Sequence, residues 1–209
     1  MIDLFGVSHF AQVIVPVGPL TQPQMQLAES LVWLLSEIDL DLIAEEFETG
    51  ILAKLSCESI AKRLADNGQI EHRFCDPDSE QRQMIGYRDY VSIFHDLLNH
   101  NEDNLQDNEL LVKARAIEVG RFFPVREEYW LQQIGDLIDG AVAFVCGDAH
   151  IDGFESLLRS KGILSRVVER GIGVDPNETS HLQALNYLEQ YPELASWQEI
   201  RLDDISYED

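Results

Sequence analysis

The chain has 209 residues, of which 45% are hydrophobic, enough for one domain with a buried core of two or three layers. Thirty-eight Asp and Glu stand against fifteen Lys and Arg, a formal net charge of −23, and no Lys or Arg precedes Lys54. The basic residues never gather into a patch, so a nucleic acid or an anionic membrane is not an expected partner.

The opening Met1-Ile2-Asp3-Leu4-Phe5 lacks the basic residues of a signal or transit peptide. No uncharged apolar run reaches the roughly twenty residues of a membrane span. Three cysteines, Cys57, Cys75 and Cys146, with no CxxC pair, fit a reducing compartment. A cytoplasmic protein is the expectation.

Taken in chain order, short apolar stretches alternate with helical patterns, which predicts an α/β domain over residues 1–209 with a mostly parallel sheet flanked by helices. The first strand is expected at Ile2 to Val7, ending in Ser8-His9. A loop punctuated by Pro16, Gly18, Pro19 and Pro23 leads to a helix from Gln24 to Ile38, with Leu27, Leu31, Leu34, Leu35 and Ile38 at helical spacing. A second strand, Leu40 to Ala44, ends in Glu45-Glu46. Helical pattern returns through Ile51, Leu55, Ile60 and Leu64 and stops at Asn67-Gly68. A third strand, Ile70 to Phe74, ends in Asp76-Pro77-Asp78. One helix is then expected from Ser79 to Leu98, a polar loop from Asn99 to Asn108, and a helical region from Glu109 to Ile138 restarted at Pro124. The helical segment of about 79–138 reads as an insertion or cover. Ala141 to Cys146 is the fourth strand, ending in Gly147-Asp148-Ala149-His150. A helix over Asp152 to Ser160, a strand over Arg166 to Gly171, a helix over Thr179 to Leu188 and an acidic tail from about residue 190 complete the reading.

Four strand ends therefore carry polar or ionisable residues: His9, Glu45 with Glu46, Asp76 with Asp78, and Asp148 with His150. Ligands of parallel α/β sheets bind at the carboxyl ends of the strands, where loops and helix N-termini meet. Histidines and carboxylates gathered there can exchange protons with a substrate or hold a divalent metal that polarises water. Zinc, manganese and iron suit such ligands equally, and His9, Glu45 and His150 are the candidate set. Glu45 and Glu46 are neighbours on a strand and point to opposite faces, so one of them shares the pocket; Glu45 is slightly favoured, with Glu46 close behind. Asp76, before Pro77, either joins the pocket or shapes its turn.

Arg126 lies four residues before Trp130 and eight before Ile134, on the apolar face of its helix. A charge there needs a carboxylate or an anionic ligand. Glu127 begins the neighbouring stripe. Cys146, before Gly147 on a buried strand, reads as a small core residue rather than a nucleophile. No GxSxG, Walker loop, HExxH or GxGxxG occurs, which disfavours the serine hydrolases, P-loop NTPases, zincins and Rossmann dehydrogenases built on them.

Gly6-Val7-Ser8-His9, Ile43-Ala44-Glu45-Glu46, Arg126-Glu127-Glu128-Tyr129-Trp130 and Gly147-Asp148-Ala149-His150 with Gly153 and Leu157-Leu158 resemble, in that order, motifs of the erythromycin-esterase/TraB-like superfamily, which also takes in ChaN-like and Tiki-type proteins. The resemblance implies a hydrolase pocket in which His9 and Glu45 or Glu46 activate water or bind metal. It implies that Arg126, beside Glu127, holds an anionic intermediate or positions an acid, and that His150 is the second histidine. Asp76, Asp148 and Trp130 are candidate substrate contacts, the substrate being a small molecule or a peptide. The alternative is a binding protein that uses the same pocket for a metal or small anion without chemistry. A homodimer is the assembly expected by default.

Overall fold

A computed structural model of the chain describes residues 1–15, 18–100 and 105–196, apart from the side chains of Thr49, Ile51 and Leu55. Pro16, the centre of the expected polar loop and the acidic tail beyond residue 196 lie outside the described residues.

The chain forms two compact units, Met1–Tyr87 with Phe123–Glu178, and Arg88–Phe122 with the residues from Thr179 onward. The first contains β1 (Ile2–Val7), α1 (His9–Gln12), β2 (Val13–Ile14), α2 (Gln22–Glu37), β3 (Leu42–Glu45), α3 (Thr49–Leu55), β4 (Glu58–Ser59), α4 (Ile60–Gly68), β5 (Glu71–Phe74) and α5 (Ser79–Ile85). The second contains α6 (Tyr90–Asn99), α7 (Asp107–Ile117) and a π-turn over Glu118–Phe122. The first unit then resumes with α8 (Phe123–Ile134), β6 (Val142–Gly147), a 3₁₀ turn over Asp148–His150, α9 (Ile151–Ser160) and β7 (Ser165–Ile172). Finally α10 (Ser180–Gln190) belongs to the second unit, where it packs on α7, as α6 does.

Five parallel strands form one sheet in the order β5-β3-β6-β1-β7, as expected for an α/β chain. β1 and β6 are buried on every residue, the signature of a strand covered on both faces. On one face Ile2, Leu4, Leu42, Ala44, Val142 and Phe144 meet Trp130 and Ile134 of α8 and Phe154 and Leu158 of α9. On the other, Phe5, Val7, Ile43, Ala143 and Val145 meet Leu27, Leu31 and Leu34 of α2 and Ile60, Ala61 and Ala65 of α4.

Two expected helices divide. Asp78 and Gln81 form a capping box that starts α5, and Gly86, at φ +70°, ends it. Asp89 then caps α6, so the single helix expected from Ser79 to Leu98 becomes two. The pattern from Ile51 to Leu64 breaks at Ser56, also left-handed, and Glu58–Ser59 pairs antiparallel with Val13–Ile14 in a small ribbon. Pro124 is the second residue of α8, directly after the π-turn over Glu118–Phe122. No helix among the described residues is long and apolar enough to cross a membrane.

Candidate active site

β1 leads to β3, and the gap between them is filled by β6. A sheet whose chain order reverses in this way opens a crevice above the carboxyl ends of the central strands. The ends of β1, β6 and β3 deliver His9, Gly147 and Glu46 to that edge, and Asp76 follows β5. A cleft of about 330 Å³ lies there, lined by His9, Phe10, Val13, Glu46, Phe47, Glu48, Asp76, Arg82 and Arg126.

Glu46, not the slightly favoured Glu45, reaches this cleft. Strand parity puts Ala44 and Glu46 on the α8–α9 face and Ile43 and Glu45 on the α2–α4 face. Glu46 is completely buried in its side chain; Oε2 accepts the Gly147 N–H at 2.6 Å and Oε1 forms an ion pair with Arg126 Nη2 at 2.8 Å. The same Oε1 is 4.0 Å from His9 Nε2 and 3.9 Å from His150 Nε2. Glu45 turns away and accepts from the Ser59 hydroxyl at 2.5 Å and faces His72 Nε2 at 2.8 Å. Its Oε2 is buried with no hydrogen-bond partner among the described residues. Glu45 and His72 thus join β3 to the ribbon and to β5, a role the sequence did not assign to His72.

Arg126 holds the buried side of the site together. Its Nε donates to Asp76 Oδ1 at 2.6 Å, and Nη1 lies 3.4 Å from His150 Nε2. Burial would lower the guanidinium's pKa, but the charges of Glu46 and Asp76 outweigh that and raise it. Burial would likewise raise Asp76; Arg126, then Arg82, overcome it and hold the carboxyl below its ordinary value. Asp76 therefore joins the pocket instead of shaping the turn before Pro77: Arg82 Nη2 donates to its Oδ2 at 2.8 Å and Trp130 Nε1 to its Oδ1 at 3.3 Å. Trp130 is fully buried; it supports Asp76 from behind and is not among the residues that line the cleft.

His150 stands behind Arg126, stacked on Phe123 at 3.7 Å and edge-on to Trp130. Arg126 can only donate, so Nε2 accepts and the ring proton sits on Nδ1, 3.0 Å from Glu127 Oε1. Burial, reinforced by the charge of Glu46 and opposed by Arg126, pushes the Glu127 carboxyl up to about 8. The folded protein thus keeps a proton that the unfolded chain releases near the ordinary glutamate value. The stability this contributes is fully present in acid and is lost as pH rises toward about 8. Glu127→Gln removes that dependence. In urea titrations the wild type should lose about 3 kcal/mol more than the variant between pH 5 and 8, and parallel curves would refute the raised pKa.

Asp148, a candidate substrate contact, is not among the residues that line the cleft. Its Oδ1 accepts the Gly171 N–H at 2.8 Å and faces Arg170 Nε at 3.5 Å, tying the end of β6 to β7. This also explains Gly6, where a Cβ would come within 2.4 Å of Asp148 Oδ1. Cys146 and Cys75 are buried, and burial raises both thiols, Cys75 to about 12, which leaves neither as a thiolate.

The candidate metal set does not assemble, because Glu45 lies on the far face of the sheet from His150. With Glu46 in its place, Arg126 already occupies the side of Glu46 Oε1 and His150 Nε2 that a cation would take. Among the described residues, no group of three or more His, Cys, Asp or Glu could hold a metal ion. As arranged, these residues do not fit one.

No family model, curated protein or solved structure matches the chain. Arg82, Phe10, Phe47 and Gln12 were not singled out in the sequence. Arg82 had a signal, since it stands one turn after Asp78 in the helix that Asp78 caps.

Proposed function

We propose that the chain is a small hydrolase that attacks a carbonyl carbon in this cleft by acid–base chemistry, as a distant relative of the erythromycin-esterase/TraB-like proteins. The observation that supports it most is the approach of His9 Nε2 to Glu46 Oε1 beside Arg126 at the open edge of the sheet. His9 has a side chain 60% exposed, whereas His150 is buried, so His9 is the histidine that water and substrate reach. The Gln12 amide meets its Nδ1 at 3.4 Å; with that amide turned so that its otherwise unpartnered Oε1 accepts from Nδ1–H, Nε2 faces the cleft as the proton acceptor.

In this reading His9 Nε2 takes a proton from water as the oxygen adds to the carbonyl carbon. Glu46 steadies the imidazolium that forms. A guanidinium has five N–H donors, and the contacts of Arg126 with Asp76, Glu46 and His150 engage three of its directions. The remaining donors meet the oxyanion of the tetrahedral intermediate. His9 then returns its proton to the leaving oxygen or nitrogen as the bond to carbon breaks. Glu127 and His150 are positioning residues that hold Arg126. A reducing, cytoplasmic setting suits Cys57, Cys75 and Cys146, none of which forms a disulfide among the described residues.

Anion binding without chemistry is the weaker reading, because Glu46, Glu48 and Asp76 outnumber Arg82 and Arg126 around the cleft. The test is a panel of activated esters and anilides, run with wild type and Glu46→Gln. Turnover by the wild type should fall about tenfold or more in the variant, which keeps the Gly147 hydrogen bond but loses the charge. No turnover of any member, or equal rates in both proteins, would overturn the proposal.

A further inference from the structure

The cleft has an apolar wall that the proposed chemistry does not use. Phe10 follows His9 in α1 and is 86% exposed, the most open large apolar side chain among the described residues. Val13 and Phe47 continue the wall and are buried at their backs, where they pack with Leu52. The His9 ring stands edge-on to Phe47 with centroids 6.3 Å apart, so the wall begins one ring away from the proposed base. An aromatic ring left in water at the mouth of a pocket gains by being covered.

The charges around the cleft select further. Glu46, Glu48 and Asp76 face Arg82 and Arg126, and both arginines already bind Asp76. A negatively charged substrate would meet an excess of carboxylates on a chain of formal net charge −23.

We propose that the site accepts acyl compounds, esters or amides, whose acyl group is apolar and whose far end is uncharged or cationic, with Phe10, Val13 and Phe47 receiving the acyl chain. This rests on the hydrolase reading for its reaction and on the wall alone for its ligand.

The test uses acetyl, hexanoyl, 6-aminohexanoyl and 5-carboxypentanoyl esters of one phenol, with hexanamide and adipic acid monoamide, unactivated amides that turn over far more slowly than the esters, titrated calorimetrically as binding probes. Each methylene that enters the wall adds roughly fourfold to kcat/KM. The hexanoyl ester should therefore exceed the acetyl ester by at least about tenfold, and the 6-aminohexanoyl ester should stay close to it. The 5-carboxypentanoyl ester should fall about tenfold below the hexanoyl ester. Phe10→Ala should shrink the hexanoyl-to-acetyl ratio severalfold and weaken hexanamide binding. Hexanamide binding that depends on Phe10, with no ester turned over, would overturn the hydrolase reading and uphold the ligand class. Equal or better use of the carboxylated ester, tighter binding of the monoamide acid, or a Phe10→Ala protein identical to wild type in ratio and binding would overturn the inference itself.

Discussion

Replacement of Arg126 by Ala is expected to destabilise the protein by about 3–5 kcal/mol, because removing one partner of a buried ion pair strands the other. Two carboxylates are stranded here. Glu46 loses its counter-ion at 2.8 Å, and Asp76 loses the donor at 2.6 Å while keeping Arg82. Asp76, without the Arg126 charge that holds it low, would then bind a proton more readily, so the variant should recover part of its stability as the pH falls. The wild type, whose Asp76 is held below its ordinary value, should not gain in the same way from that carboxylate. Arg126→Lys separates charge from geometry. An ammonium is a point charge and cannot serve Asp76, Glu46 and His150 together, so the Lys variant should fold better than the Ala variant yet lose comparable activity. That loss is expected at about 10²–10³-fold in kcat/KM if Arg126 meets the oxyanion. Urea titrations of both variants, with Glu46→Gln combined in a double-mutant cycle, measure the coupling. An Ala variant as stable as wild type would show that Arg126 does not hold the carboxylates.

The sequence makes some of this site legible and conceals the rest for physical reasons. The strands β1 and β6 announce themselves as apolar runs because both of their faces are covered. That same double coverage hides which of Glu45 and Glu46 faces the cleft: with Ile43 and Ala44 both fully buried, no alternation of polar and apolar residues marks a face. The need of Arg126 for a carboxylate could be read from its place on an apolar helical stripe, but the identity of its partners could not. Asp76 and Glu46 lie 50 and 80 positions away in the chain and meet it only because β3 and β5 are neighbours in the sheet. The ribbon of β2 and β4 was illegible because a two-residue strand has no periodicity. Yet that ribbon matters to the site, since β2 follows α1, which carries His9 and Phe10, and Ser59 of β4 binds the carboxylate next to Glu46.

His9→Ala should have the opposite signature to Arg126→Ala. The His9 side chain is 60% exposed, and its contacts are Gln12 at 3.4 Å, the 4.0 Å approach to Glu46 and the edge of Phe47. An exposed site of this kind costs within about 0.5 kcal/mol when truncated, so urea midpoints of variant and wild type should nearly coincide. Turnover should fall by about 10²–10⁴-fold, the worth of a positioned proton acceptor, with the loss in kcat rather than KM. His150→Ala, by contrast, should lower stability and activity together, because that ring is enclosed by Phe123, Trp130 and Glu127 and meets Arg126 and Glu46 from behind the cleft. The pair of variants therefore assigns the two histidines separately. If His9→Ala retained full turnover while His150→Ala abolished it without loss of stability, the proton would have to pass through the buried ring. Arg126 would then have to move off Nε2 before the reaction, and the roles proposed for the two histidines would be reversed.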